Sequence, residues 1–430
     1  MSGHRLHLAG SVVRGGDVRA SNRRVVLELI ERHGPVSRAD LARLAGLSMP
    51  STSEIVADLL ASGLVVWGGE GASRGGRRPM LLRFHPARAS VLAVDLGGMA
   101  ATMGLFLLDG TSLVEDRFSL PESARGAEAV HHLVAAVRAM VERAPRERPE
   151  LLGVGIAAPG VTDPETGEVS LAPVVGWAGT PVRHLLEQQL GLRVVVDNDV
   201  NAAALAEWRF GDGARYGSFA FVSIGTGVGM GIILDGQIHR GRLNQAGEIG
   251  YMVLDPDWAD TPGGFGNLES RVALPALARD YARLGASGGP ASPSPPVDAG
   301  VEAAVRRLLD DAAAGRQEAL ALLRERARLL ARALVNTYAV LAPEAIFLGG
   351  PISPYLAALL PLVEVEAARL VPFRPVLLRS ALGQRAGLMG ACALASDMVK
   401  EQLLAQAPAW KAGEKGKRWA AGALDVRRLG

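Results

Sequence analysis

Residues 91–100, VLAVDLGGMA, leave the chain few folds to choose from. The segment reads as a buried β-strand with an acid at its end, then a turn that only glycines make so tightly. The turn Asp95-Leu96-Gly97-Gly98 suits a phosphate group, because two glycines let backbone N–H groups approach an anion and Asp95 can hold a metal-bound water. Alone the signal is weak, since a glycine pair after an apolar strand commonly makes only a hairpin turn. The unit recurs, however. Residues 219–224 lead into Gly225-Thr226-Gly227-Val228-Gly229 and close with 231–234, again strand, glycine turn and strand. This likeness predicts a duplicated fold of two similar halves, each supplying one candidate phosphate loop.

Between and after these units the pattern stays α/β. Residues 127–142 read as a helix, 151–160 (LLGVGIAAPG) as an apolar strand ending in a Pro-Gly loop, 194–197 as a strand and 200–210 as a helix. The Gly-, Pro- and Ser-rich stretch at 285–296 predicts a disordered insertion over 285–300. A long helix at 317–341, a strand at 345–348, Gly349-Gly350 and a helix near 387–398 follow. The basic tail 400–430 carries no readable function. With 89–399 as the body, 430 residues suit two or three domains.

What precedes the body differs in kind. Residues 1–20 lack periodicity and are expected to be a flexible arm, and 21–88 form the next module. Residues 22–33 place Val25, Val26, Leu29 and Ile30 on one helical face, and Gly34-Pro35 stops that helix. Ser37 and Asp40 suit a capping box for a helix over 38–45, with Leu41 and Leu44 inward and Gly46 at its end. Ser48 caps a third helix with Pro50 in its first turn, which buries Ile55, Val56, Leu59 and Leu60 and stops at Gly63. Strands at 64–67 and 80–84 flank an arginine-rich loop. Three short helices and a hairpin make a winged helix-turn-helix. Ser48, Ser51, Thr52 and Ser53 are its candidate base-reading residues, and Arg74, Arg77 and Arg78 its candidate phosphate or minor-groove contacts. Residues 1–88 carry 13 Arg against 7 Asp+Glu, whereas the remainder carries 33 basic and 37 acidic residues. That asymmetry favours double-stranded DNA as the partner of the first module. A winged helix that contacts protein is the alternative.

No apolar run reaches the roughly eighteen residues of a membrane span, and MSGHRLHLAG lacks a signal-peptide core, so a cytoplasmic protein is expected. The single cysteine, Cys392, rules out an internal disulfide or a cysteine-rich zinc site.

In combination, DLGG at 95–98, GIAAPG at 155–160, VDNDVNAAALAE at 196–207 and IGTGVGMGIILDGQIHRG at 224–241 resemble the ROK family of repressors and sugar kinases. AGEIGY at 246–251, LGG at 348–350 and GLMGACALA toward the C-terminus extend the resemblance. It covers roughly 90–398, and the module in front resembles that of the family's repressor branch. The implied fold is α/β, a winged helix-turn-helix followed by a duplicated actin-like, sugar-kinase ATPase fold. The resemblance implies that Asp199 is the general base toward a sugar hydroxyl, with Asn198 on a neighbouring hydroxyl. It places Glu248 and Glu269 on sugar hydroxyls and Pro159-Gly160 beneath the sugar. Asp95, Gly97 and Gly98, then Gly225, Thr226 and Gly227, match its phosphate loops, and Gly349 and Gly350 its adenine contact.

The chain also departs from the family. Met99 stands where Thr is usual, Val174 where an Asn commonly binds sugar, and Tyr251 where a His serves both sugar and zinc. The zinc cluster C-x-C-G-x-x-G-C-x-E is replaced by TPGGFGNLE at 261–269, which has no thiolate. Zinc is therefore not expected, and Met99 argues against ATP as a working cofactor. These departures favour a transcriptional regulator, a repressor that senses a sugar in a kinase-like cleft as a homodimer or homotetramer. An active ATP-dependent sugar kinase with an added DNA-binding domain is the alternative.

Overall fold

The computed structural model describes residues 15–72, 78–97, 100–121, 124–172, 175–255, 266–285 and 297–406. Arg74, Arg77, Gly98, Met99, Val174, residues 261–265 and most of the predicted insertion lie outside the described residues. The chain divides into two compact units, residues 1–88 with 399–430, and residues 89–398.

The first unit holds α1 (Gly15–His33), β1 (Val36–Ser37), α2 (Arg38–Ala45), α3 (Met49–Ser62), β2 (Val65–Glu70) and β3 (Met80–Phe84). The three strands form an antiparallel sheet in the order β1-β3-β2. Ser37 Oγ accepts from the Asp40 N–H at 3.2 Å and donates to Asp40 Oδ2 at 2.7 Å, so the carboxylate returns to the capping hydroxyl. Gly46, at φ 64, ends α2 in the left-handed conformation that favours glycine. Ser48 Oγ accepts from the Ser51 N–H at 3.2 Å and starts α3. Val26, Ile30, Leu41, Ile55, Val56 and Leu59 are buried and make the core.

Three expectations for this unit need correction. The predicted arm over 1–20 already contains helix, because α1 begins at Gly15. Arg19 of that stretch and Arg23 just beyond it reach Asp58 on α3 at 3.0 and 3.7 Å, and Asp58 is buried. Thr52 does not face outward. It is fully buried, and its Oγ1 donates to the Ser48 carbonyl one turn back at 3.0 Å. Leu44, expected inside, is exposed.

The second unit repeats one sheet pattern twice. Its first half contains β4 (Ser90–Asp95), β5 (Ala100–Leu107), β6 (Ser112–Ser119), α4 (Ala127–Arg143) and β7 (Leu151–Ala158). A side sheet of β8 (Val161–Asp163), β9 (Glu168–Ala172) and β10 (Trp177–Thr180) follows, then α5 (Val182–Leu190), β11 (Arg193–Asn198) and α6 (Asp199–Phe210). The second half contains β12 (Phe219–Ile224), β13 (Val228–Leu234), β14 (Gln237–Ile238), α7 (Glu269–Val272) and α8 (Leu274–Gly285). It continues with α9 (Val297–Ala313), α10 (Gln317–Leu341), β15 (Ala345–Gly349), α11 (Leu356–Leu370), β16 (Leu377–Arg379) and α12 (Ala386–Gln406), of which the residues from Val399 group with the first unit.

The main sheets run β6-β5-β4-β7-β11 and β14-β13-β12-β15-β16. In each, the first two pairings are antiparallel and the last two parallel. The repeated strand–glycine turn–strand unit supplies the same two neighbouring places in both sheets, β4 with β5 and β12 with β13. β4 and β12, central and almost wholly buried, are continuous apolar runs because helices or strands cover both their faces. A separate apolar core lies under each sheet.

Two boundaries are corrected here. Residues 297–300 of the expected insertion are the first turn of α9, and the expected tail begins only after Gln406, where α12 ends. No described helix is long and apolar enough to cross a membrane.

Candidate functional site

The candidate site is built where β11 hands over to α6. Asn198 caps α6, its Oδ1 accepting from the Val200 and Asn201 N–H groups at 3.0 and 2.9 Å. Its Nδ2 donates to the Gly160 carbonyl at 2.9 Å and to Asp199 Oδ1 at 3.2 Å. One side chain therefore ties the Pro159-Gly160 loop to the first residue of α6. Gly160 has φ 82, and a Cβ there would collide with the Leu171 carbonyl, so only glycine fits. Asp199 Oδ1 also accepts from the Val200 N–H at 2.9 Å. That fixes the carboxylate and leaves Oδ2, among the described residues, as the oxygen available to a ligand hydroxyl.

Four acids, Asp95, Asp199, Glu248 and Glu269, form a chain of electrostatic neighbours. Burial, then repulsion from Asp199, pushes the Asp95 carboxyl up to about 7. Burial also pushes Asp199 up to about 7, with Glu248 adding to the rise against the Val200 N–H. Glu248, exposed at the rim, is raised by desolvation and by Glu269. Tyr251 is exposed beside these two glutamates, and its hydroxyl is raised by desolvation and by both of them. A group poised near neutrality in a cleft is suited to taking or returning a proton.

Glu269 opens α7 and touches backbone. Its Oε1 accepts from the Gly266 N–H at 2.9 Å and its Oε2 from the Val228 N–H at 3.3 Å. In this arrangement it braces the second glycine turn, where the Gly225 N–H donates to the Gly227 carbonyl at 2.9 Å and Thr226 is exposed. In the first turn Gly97 is exposed, and Asp95 lies against Gly387 in the first turn of α12. Gly349 and Gly350 are buried. Gly350 has φ 77 with the Ser223 hydroxyl where a Cβ would be, so packing alone requires it. A cavity of about 580 Å³ opens beside that turn, lined in part by Ser353, Leu356, Arg379 and Arg385.

Among the described residues no group of three or more His, Cys, Asp or Glu is placed to hold a metal, and Cys392 is buried in α12.

The sequence reading missed Asp197, which is fully buried and takes two bonds from Arg240 at 2.8 and 2.7 Å. This pair fixes the end of β11 immediately before Asn198 and Asp199. No local signal joins residues 43 apart. Also missed was Lys400, almost buried, which pairs with Glu31 at 2.6 Å and lies over the Phe84 ring at 5.1 Å within the first unit.

On the first unit, Ser48 and Ser51 are exposed at the start of α3, their hydroxyls 2.9 Å apart, and Ser53 is half-buried. Arg78 is exposed, with Glu70 at 3.8 Å. Residues 1–88 carry 13 Lys+Arg against 7 Asp+Glu, whereas residues 89–398 carry 26 against 34.

Residues 91–398 match the model of the ROK family. The chain is 32% identical to the xylose repressor of Caldicellulosiruptor bescii over 257 residues, 60% of this chain and 64% of that one, so it spans under two thirds of that relative. It is 28% identical to the DNA-binding transcriptional dual regulator NagC of Escherichia coli over 394 residues, 90% of this chain and 95% of that protein. Among solved structures, a ROK family transcriptional regulator homologous to the E. coli MLC protein matches with a TM-score of 0.76, 24% identity and coverage of 90% and 98%, a likeness of fold. A ROK family glucokinase from Streptomyces griseus, in complex with glucose and AMPPNP, matches at 0.62 with 28% identity over 72% of this chain and 100% of its own.

Proposed function

The chain belongs to the ROK family, and on that premise we propose that it is a DNA-binding transcriptional repressor controlled by a sugar. The observation that carries this reading is the extent of the likeness to NagC, which at 90% of the chain runs well beyond the body. The basic first unit binds double-stranded DNA, and α3 enters the major groove. The body dimerises, so that two copies of α3 meet half-sites about one helical turn apart. Acting on DNA, the protein works in the cytoplasm.

The effector lies in the cleft between the two halves of the body. Asp199 Oδ2 accepts from one of its hydroxyls, Glu248 and Tyr251 meet others at the rim, and Asn198 positions the loop beneath. Glu269 braces the second glycine turn and, through it, the closed state. A ligand that favours the closed cleft changes DNA affinity by its differential affinity for the two states. The relatives supply three sugars to try first: xylose, N-acetylglucosamine and glucose. We propose that the protein holds no zinc; elemental analysis of the purified protein should find none in stoichiometric amount.

The second reading, an active kinase, is favoured by the fixed Asp199 carboxylate. Phosphoryl transfer is nearly all positioning, so the departures at Met99, Val174 and Tyr251 weigh against it. An assay with ATP and the three sugars separates the readings, and we expect turnover no higher than in Asp199→Asn. The repressor reading itself is tested by anisotropy titration against DNA from upstream of the protein's own gene. Saturable binding tighter than to random duplex, weakening steeply with salt, is expected. Parity with random duplex at every salt concentration would contradict it for that DNA, and a selected site would then be tried.

A further inference from the structure

We infer that α3 reads thymine methyl groups through Met49 and cytosine amino groups through Glu54, and makes no bidentate contact to guanine or adenine. The inference rests on the DNA-binding reading and specifies its chemistry.

The exposed face of α3 carries Met49, Pro50, Ser51, Glu54 and Ala61, with Ser53 and Ala57 half-buried. Across its fourteen residues, MPSTSEIVADLLAS, there is no Arg, Lys, Asn or Gln. Those are the side chains that pair in two-bond fashion with the edges of guanine or adenine. Other groups must supply the discrimination. Met49 is 49% exposed in the first turn, and Leu44, at the end of α2, is 40% exposed. Two large apolar side chains thus stand in solvent around the turn that joins the two helices. The apolar feature of the major groove is the thymine C5-methyl group. Ala57 and Ala61 present only a Cβ on this face, which lets the helix backbone approach the groove closely.

Glu54 is the second observation. In this unit Asp40 faces Arg43, Asp58 faces Arg19 and Arg23, Glu70 faces Arg78, and Glu31 faces Lys400. Glu54 is exposed and, among the described residues, has no ion-pair partner. An unpaired carboxylate facing a polyanion is repelled unless it accepts a hydrogen bond. The donor that the major groove offers to Glu is the cytosine N4 amino group. The exposed Arg43 and Arg78 flank the helix in sequence and suit the phosphates that hold it in register.

The test uses the full-length protein. A selection from random duplexes yields the preferred half-site, and synthetic duplexes are then titrated by anisotropy at fixed salt. We expect half-sites with fixed T and C positions on the strand facing α3. Replacing that dT by deoxyuridine removes only the methyl group; it should weaken wild-type binding about 3- to 10-fold and leave Met49→Ala unchanged. Glu54→Gln should shift the preferred base at its position from C to A, since Gln pairs with adenine, while Glu54→Ala should lose the preference about tenfold. The inference is overturned if the deoxyuridine effect is equal in wild type and Met49→Ala, or if both Glu54 variants keep the wild-type preference. A selection that enriches no sequence overturns the DNA-binding reading itself, and this inference with it.

Discussion

Asn198 commits its whole side chain to the protein, one oxygen to two backbone donors and one nitrogen to two acceptors. The family resemblance implies a sugar contact for it, but its place in the fold is that of a positioning residue for Gly160 and Asp199. Asp199 is different, since burial and Glu248 raise its carboxyl to about 7 while one oxygen stays available. The sign of its effect on stability follows. A raised folded pKa means that the native state holds the proton more tightly than the unfolded chain, so stability falls as pH rises from the ordinary carboxylate range through 7. Asp199→Asn removes that loss. It should stabilise the protein by roughly 1–2 kcal/mol at pH 8, discounted for partial exposure, and by little near pH 4. Chemical denaturation at the two pH values measures this, and a larger gain at the acid end would contradict it. At this scale the motif made Asn198 and Asp199 legible, but the buried Asp197–Arg240 pair was not, because pairing across 43 residues leaves no periodic trace. Thr52 misled for a local reason. A hydroxyl in the first turn satisfies itself on the carbonyl four residues back, which frees the side chain to turn inward.

Helix ends were the most legible elements. Ser37, Gly46, Ser48 and Gly63 mark α2 and α3 because capping hydroxyls and left-handed glycines leave their signs in the sequence itself. The start of α1 was not legible, since what holds it is tertiary: Arg19 and Arg23 on Asp58. Removing one partner of such a pair costs more than the pair contributes, because it strands the other charge. Asp58→Ala should therefore destabilise the first unit by about 1–3 kcal/mol, read as its thermal unfolding, and Arg19→Ala, at the more exposed end, by less. An unchanged midpoint in Asp58→Ala would refute the clamp. Lys400 belongs to the same unit, between Glu31 and the Phe84 ring. Ending the chain at Met398 should lower the unfolding temperature of this unit by several degrees. An unchanged temperature would show residues 399–406 to be dispensable there. The start of α9 was lost to composition, its first residues being joined in the reading to the Pro- and Ser-rich run before them.

At the scale of the whole molecule, the repeat was legible and its consequence large. One strand–glycine turn–strand unit, met twice, predicts a fold of two similar halves, and the structure has two sheets with the same pairing senses in the same order. The charge asymmetry was legible in the sequence, with 13 Arg against 7 Asp+Glu up to residue 88 and an acidic excess in the remainder. What the chain pattern does not carry is how a sugar changes DNA affinity, since coupling is a difference between two states. The most direct test is one anisotropy titration of the selected operator, with and without saturating xylose, N-acetylglucosamine or glucose, for wild type and Asp199→Asn. The account predicts that one of these sugars shifts wild-type affinity about tenfold or more and shifts Asp199→Asn little, with equal affinities when no sugar is present. The same sugar response in both proteins would contradict the claim that the cleft at Asp199 controls DNA binding.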